Sequence, residues 1–125
     1  MVPVVVGLGG ALGAIARYYA TDWVRHAFGA EVPWGTLVVN VAGSLLLGFF
    51  FVWIEARAPS NISRELIAIG FLGSFTTFST FSYETVAMAR AGDIWRAGGY
   101  ATGSLVLGVM AVVLGAGLAT LLTRG

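Results

Sequence analysis

The chain has 125 residues, of which 58% are hydrophobic and only 10% are charged, whereas about 25% of the residues of a soluble domain are charged. This number of charges is too small to cover the surface of a globular protein in water. The composition therefore excludes a soluble domain and indicates that most of the surface faces lipid. A single histidine and no cysteine exclude disulfides and cysteine or histidine metal clusters. A net charge of +1 without a basic run argues against nucleic-acid binding.

Four apolar stretches follow one another along the chain, and each exceeds the roughly 20 residues that a helix needs to cross a bilayer. They cover residues 2–23, 34–54, 66–89 and 97–122. The connecting segments are short, which predicts that consecutive helices are antiparallel neighbours in one bundle. We therefore expect an all-α integral membrane protein with a single four-span domain over residues 1–125.

Proline and tryptophan positions agree with these spans. Each proline lies where a helix begins or the chain turns: Pro3, Pro33 and Pro59. The tryptophans lie at span ends, where an amphipathic ring prefers the headgroup level: Trp23, Trp34, Trp53 and Trp95. The absence of charge before Arg17 argues against a cleaved signal peptide, so the first span is expected to be retained.

The arginines are divided almost evenly between the two ends of the spans. Three lie on the side of the N-terminus and three on the other, namely Arg57, Arg64 and Arg124 against Arg25, Arg90 and Arg96. The positive-inside rule then gives little preference for either orientation. A chain that inserts both ways can form an antiparallel homodimer about a two-fold axis in the membrane plane. The alternative is that few charges produce a tie by chance.

Small residues recur at helical spacing within the spans. Gly9 and Gly13 form one pair and Ser44 and Gly48 another, and the fourth span carries Gly99, Gly103, Gly108, Gly115 and Gly117. Small side chains let helix backbones approach closely in lipid. These positions are therefore interpreted as packing faces.

The third span departs from the apolar pattern over residues 74–85. This segment contains seven serine and threonine hydroxyls, three phenylalanines, one tyrosine and one glutamate, and no aliphatic hydrocarbon side chain. Hydroxyls can replace backbone partners where a helix stops, and Gly70 and Gly73 weaken the helix further. We predict a break between Gly73 and Thr80, near the midplane, where unwound backbone lines a cavity or an ion site. The alternative is an unbroken helix whose hydroxyls bond to its own carbonyls.

Phe75, Phe78 and Phe81 recur every third residue, which on a continuous helix forms a slowly drifting stripe. Such a stripe is ordinarily core packing. Among hydroxyls, however, the positive edges of phenyl rings can hold an anion weakly enough to release it.

Five polar side chains inside the spans are further candidates for a site: Arg17, Asn40, Glu84, Tyr100 and Ser104. The Asn40 amide offers donors to an anion or bonds to another helix. Tyr100 and Ser104 are one turn apart and share a face. Glu84 could carry a proton, pair with Arg17 or donate a hydrogen bond in its protonated form. Arg17 could lead an anion inward or extend to the interface.

Three segments of the chain match one family pattern. They are Gly13-Ala-Ile-Ala-Arg-Tyr18, Gly35-Thr-Leu-Val-Val-Asn-Val-Ala-Gly-Ser44 and Gly70-Phe-Leu-Gly-Ser-Phe-Thr-Thr-Phe-Ser-Thr-Phe-Ser82. The chain closely resembles the Fluc fluoride channels, also called CrcB proteins, over all four spans in order and length. The Thr-Thr-Phe-Ser-Thr-Phe run is the most specific part of the match.

The resemblance implies a dual-topology homodimer with two fluoride pores and a structural sodium ion (Na+) on the two-fold axis. By the family pattern, the pore would be lined by Asn40, Phe78, Phe81, Thr80, Glu84, Tyr100 and Ser104. Arg17 is a further candidate for the anion path on its own chemistry. The backbone carbonyls of Gly73 and Thr76 would ligate sodium. The chain departs from the pattern at Ser74, where many relatives have glycine, and at Gly108, where the row of hydroxyls could continue.

The expected function is passive export of cytoplasmic fluoride across the bacterial inner membrane, without catalytic residues or enzyme activity. Fluoride is small and strongly hydrated, so a dry pore must replace its water with fixed donors and ring edges. The expected partners are a second copy of the chain, fluoride and the lipid bilayer. Two alternatives remain open: a proton-coupled dual-topology exporter of the small multidrug-resistance type that uses Glu84, and a non-transporting assembly subunit.

Overall fold

A computed structural model describes residues 1–57 and 60–125 and contains only helices and short connections within these ranges. We label the helices in chain order as α1 (Val2–Phe28), α2 (Trp34–Ala56), α3 (residues 61–75), α4 (Phe78–Arg90) and α5 (Ile94–Thr123). Helix α3 is composite, with a π-helical stretch Arg64–Leu72 between the short α-helical segments Asn61–Ser63 and Gly73–Phe75. Pro59, which the sequence places in a turn, lies outside the described residues.

Four helical spans are long and apolar enough to cross a membrane, as predicted. They have 27, 23, 30 and 30 residues, and α3 and α4 together form the third. The helices extend beyond the apolar stretches because their polar ends continue at the level of the headgroups. At the end of α1, for example, the Arg25 guanidinium donates to the Asp22 carboxylate at 2.6 Å.

Glycine and aspartate define the short connections between spans. Gly29 after α1 and Gly92 after α4 have φ values of 90° and 89°, a region that favours glycine. Asp93 then caps α5, because its carboxylate accepts the backbone N–H of Arg96 at 3.2 Å. These tight turns make consecutive spans antiparallel, so α2 and α5 run parallel to each other.

Glycines bring two pairs of helices into backbone contact. On α1, a Cβ at Gly9 or Gly13 would overlap the carbonyl oxygens of Leu66 or Phe71. On the other pair, α2 packs on α5, and a Cβ at Gly48 would overlap the Val112 carbonyl oxygen. Gly115 faces the Leu45 carbonyl in the same way. Three of the glycines interpreted as packing residues instead have open space in the single subunit, with nothing within 4 Å of the position that a Cβ would occupy: Gly99, Gly103 and Gly117.

Large apolar side chains cover the outside of the bundle rather than its interior. Leu8, Leu105, Val113 and Leu121 are each at least 60% exposed, whereas Val39 and Leu72 are almost fully buried between the helices. Such a surface requires lipid or another apolar partner. The subunit interior is therefore thin, and close glycine contacts supply much of the helix packing.

We expect Gly48→Ala to lower the thermal unfolding midpoint in detergent, because the new methyl group would overlap the Val112 carbonyl oxygen. Overpacking of this kind costs about 1–3 kcal/mol. Gly98→Ala is the control, since Gly98 lies in α5 with open space around it. Equal unfolding midpoints for the Gly48 variant and the wild type would contradict the close packing of α2 on α5.

Candidate functional site

The third span is interrupted at Thr76 and Thr77, within the predicted segment. Thr76 has φ −84° and ψ 156°, and Thr77 has φ −148° and ψ 118°. Both residues are therefore extended, while helices precede and follow them. The prediction of a break is confirmed, and the alternative of an unbroken helix is wrong.

Asn40 of α2 pairs with both backbone groups of Thr77. Asn40 Oδ1 accepts the Thr77 N–H at 2.7 Å, and Asn40 Nδ2 donates to the Thr77 carbonyl oxygen at 3.0 Å. One amide side chain thus replaces two backbone hydrogen bonds that the helix loses at the break. Of the two roles open to Asn40 from the sequence, the structure shows the bond to another helix, and one N–H remains for a further acceptor.

The same contacts release two backbone carbonyls. In a continuous helix the Gly73 carbonyl would accept from the Thr77 N–H, which here bonds to Asn40. The Thr76 carbonyl would accept from the Thr80 N–H, which here bonds to Thr77 Oγ1 at 3.3 Å. Both carbonyls therefore lose their helical donors at the break.

Thr77 also starts α4. Its side chain caps the helix by accepting the Thr80 N–H, and its hydroxyl donates to Thr80 Oγ1 at 3.1 Å. Thr80, a predicted pore residue, thus lies in the first turn of α4, and its hydroxyl is hydrogen-bonded to the capping residue Thr77.

Glu84 joins three helices through its carboxylate. Thr36 Oγ1 of α2 donates to Oε1 at 2.6 Å, and the Tyr100 hydroxyl of α5 donates to Oε2 at 3.2 Å. Of the roles considered for Glu84, pairing with Arg17 is not observed among the described residues, whose ion pairs involve Asp22 and Asp93. Two neutral donors therefore hold a carboxylate that lies between α2, α4 and α5.

Polar residues on α2 and α5 lie at matching levels because the two helices are parallel and in register. Thr36 and Tyr100 meet at Glu84, and four positions further along each helix are Asn40 and Ser104. The Ser104 hydroxyl is buried and has no hydrogen-bond partner among the described residues. A buried hydroxyl without a partner is costly, so this position marks a place for an additional acceptor or donor.

A groove of about 360 Å³ opens beside this row. Its lining includes Leu37, Tyr100, Ser104 and Leu107, with Arg96 at one end. The groove is mostly apolar and exposes few polar groups, as expected of a path that desolvates an ion.

The phenylalanines do not form one stripe, because the break separates them. Phe75 stacks on Phe71 within α3, with ring centroids 5.9 Å apart. On α4, Phe81 lies between Phe78 and Tyr100, with centroid distances of 5.8 Å and 5.3 Å. Phe78 is 79% exposed on the outside of the subunit. The structure thus brings Phe81 to the polar row at Tyr100, leaves Phe78 exposed beside Phe81, and places Phe75 against Phe71 on the other side of the break.

A second cavity, of about 630 Å³, extends from the α1–α2 turn to the break. Arg17 lines its wall, and Thr77, Thr80 and Glu84 lie at its inner end. This space connects the charged end of α1 with the polar groups of the third span. Arg17 therefore lies on a route toward the site rather than in the polar row itself.

Thr36 is a site residue that the sequence reasoning misses, although it bonds directly to Glu84. The available signal was spacing, since Thr36, Asn40 and Ser44 repeat every four residues on one face of the second span.

The fold and the site define a small polytopic membrane protein whose discontinuous helix and internal polar row are typical of channels and transporters. The model of the family described as "CrcB-like protein, Camphor Resistance (CrcB)" matches residues 4–116. The chain belongs to this family.

Three curated relatives of the chain carry the same name. A protein of Thermus thermophilus called "Fluoride-specific ion channel FluC" is 46% identical over 88% of this chain and 87% of its own length. Similar proteins of Trichormus variabilis and Hahella chejuensis, with the same name, are 41% and 43% identical over 98% and 95% of this chain. The alignments cover 91% and 94% of those two relatives.

We expect Asn40→Leu, which keeps the branched shape of the side chain, to destabilise the break because both backbone groups of Thr77 lose their partner. Each buried group left without a partner costs about 1–3 kcal/mol. The thermal midpoint should fall and the Thr77 amide should exchange faster with deuterium. Asn61→Leu, at an exposed position at the start of α3, is the control. Unchanged exchange at Thr77 would show that Asn40 does not hold the break.

Proposed function

We propose that the chain is a fluoride-selective passive channel, active as an antiparallel homodimer with two pores. Its membership of the CrcB family and the name of its relatives, fluoride-specific ion channel, support this function. A channel makes and breaks no covalent bond, which agrees with the prediction that the chain is not an enzyme.

The observation that carries the proposal is the buried Ser104 hydroxyl without a partner among the described residues, in a row of neutral donors. Fluoride binds tightly to water, so a dry path must offer hydrogen-bond donors in place of the hydration shell. Ser104 and the remaining N–H of Asn40 are such donors. Neutral groups bind an anion more weakly than a full positive charge would, so the anion can leave again.

The aromatic rings complete this lining. Phe81 lies within 5.3 Å of the Tyr100 ring, centroid to centroid, next to the donors. Ring edges carry partial positive charge and can contact an anion. Phe78 is exposed in the single subunit, and in the proposed dimer it enters the pathway together with the partner's copy.

Two features support the antiparallel dimer. The arginines give the chain little preference for one orientation, and the exposed apolar faces include glycines with open space, Gly99 and Gly103. A second copy would cover such a face with close helix contacts. The chain would then form one four-span domain per subunit in the bacterial inner membrane.

The carbonyls at the break are suitable ligands for the sodium ion proposed at the dimer centre. The Gly73 and Thr76 carbonyls have lost their helical donors, and unwound carbonyls of broken membrane helices are suited to coordinate sodium. Two carbonyls from each subunit would supply four oxygen ligands. When bound, the cation would neutralise carbonyl dipoles that lipid cannot solvate.

A proton-coupled exporter is the second candidate, and Glu84 is the observation in its favour. An acidic group within a span is by default a candidate for function. Its carboxyl group accepts hydrogen bonds from both Thr36 and Tyr100, and these bonds fix the side chain between α2 and α5. The geometry therefore favours the channel.

We expect the purified protein in liposomes to release fluoride at a rate that follows membrane voltage and needs no proton gradient. A fluoride electrode measures the release, and chloride-loaded liposomes are the selectivity control. Glu84→Gln should retain part of the flux, because the channel transfers no proton through this carboxylate. Strict proton coupling that Glu84→Gln abolishes would instead establish the exporter, and absence of flux would favour an assembly subunit.

We expect both membrane orientations to be populated about equally. The chain has no cysteine, so Thr123→Cys alone provides one label site at the end of α5. A membrane-impermeant maleimide should label about half of the protein from each side, and Ile94→Cys at the other end of α5 should behave alike. Labelling of Thr123→Cys from one side only, with Ile94→Cys labelled from the other, would contradict dual topology.

A further inference from the structure

Ser44 and Gly108 face each other across the α2–α5 contact. A Cβ built on Gly108 would meet Ser44 Oγ at 3.9 Å and nothing else within 4 Å. Ser44 is half-buried and lies one turn beyond Asn40 on the same face of α2. Its hydroxyl therefore faces the space that the absent side chain of Gly108 leaves open.

The register of the two helices makes this pair the next level of the polar row. Thr36 and Tyr100 meet at Glu84, and Gly48 contacts the Val112 backbone with the same offset in sequence. Between these fixed points, Asn40 is level with Ser104, and Ser44 is level with Gly108. Successive levels are about 6 Å apart, four residues along a helix.

We infer that the Ser44 hydroxyl is a further fluoride-binding group of the pathway, which it extends beyond Asn40 and Ser104. This inference depends on the proposed channel function. The row of donors changes helix at this level: α5 supplies the hydroxyl at Ser104, and α2 supplies it at Ser44 because Gly108 has none.

A packing role alone does not account for Ser44. Gly48, on the same face, contacts the backbone of α5 directly, whereas Ser44 Oγ lies 3.9 Å from the position that a Gly108 Cβ would occupy, an ordinary van der Waals distance. Several hydroxyls of the spans bond to their own helix; Thr120 Oγ1, for example, donates to the Ala116 carbonyl oxygen at 2.8 Å. Ser44 forms no side-chain hydrogen bond with the described residues. Its donor is free to contact an ion that passes Ser104.

Fluoride efflux from liposomes tests this role with four proteins: the wild type, Ser44→Ala, the double variant Ser44→Ala/Gly108→Ser, and the control Thr120→Val. Ser44→Ala removes one donor to a charged ligand, which we expect to lower flux about tenfold. The double variant returns a hydroxyl to the same level from α5, where the space accommodates it, and should recover most of the flux. Thr120→Val should match the wild type.

Gel filtration and thermal unfolding of each variant separate loss of the hydroxyl from loss of folding. Wild-type flux in Ser44→Ala would overturn the inference and leave the channel intact. Reduced flux that Gly108→Ser does not restore, in protein of unchanged stability, would also overturn it, because a hydroxyl at this level would then not be what matters. Absence of fluoride flux in the wild type would overturn the proposed function and the inference with it.

Discussion

The pairing of the Asn40 amide with the Thr77 peptide group is the interaction on which the rest of the site depends. In lipid no water can satisfy an unwound backbone, so a helix can stop at the midplane only if other groups take over its hydrogen bonds. Asn40 takes both groups of Thr77, and the Thr77 side chain takes the next amide, that of Thr80. The break is therefore a satisfied structure, and its product is a pair of released carbonyls at Gly73 and Thr76.

The packing of α2 on α5 aligns the polar residues of these two helices in a row. Gly48 and Gly115 allow backbone contact between the two helices, and this contact fixes their register. Once the register is fixed, the residues at spacing four on α2 must lie level with their counterparts on α5. The glycines that allow close packing therefore also determine which polar residues of the two helices lie level with each other.

The number and order of the spans could be predicted because they depend only on apolar length, which the bilayer imposes. The break was also predictable, since a run of hydroxyls without aliphatic side chains has no use on a continuous lipid-facing helix. Its position at Thr76 and Thr77 was not, because the helix stops where a side chain of another helix, Asn40, reaches it. For the same reason, the sequence did not separate Phe75 from Phe78 and Phe81.

Two other features could not be predicted from the sequence. The π-helical stretch Arg64–Leu72 has no compositional signature, and it arises where α3 packs against α1 at Gly9 and Gly70. The contact of Thr36 with Glu84 joins residues 48 positions apart, so only the helix arrangement reveals it.

Glycines that face carbonyl oxygens have a consequence of their own. In six of them, the Cα hydrogen that replaces the side chain points at a carbonyl oxygen of a neighbouring helix or segment. They are Gly9, Gly13, Gly35, Gly48, Gly70 and Gly115. A carbon-bound hydrogen next to two amides is a weak donor, and each such contact is worth roughly 0.5–1 kcal/mol. The bundle therefore carries a distributed set of electrostatic attractions between backbones, which persists in a solvent that gives apolar side chains no reason to associate.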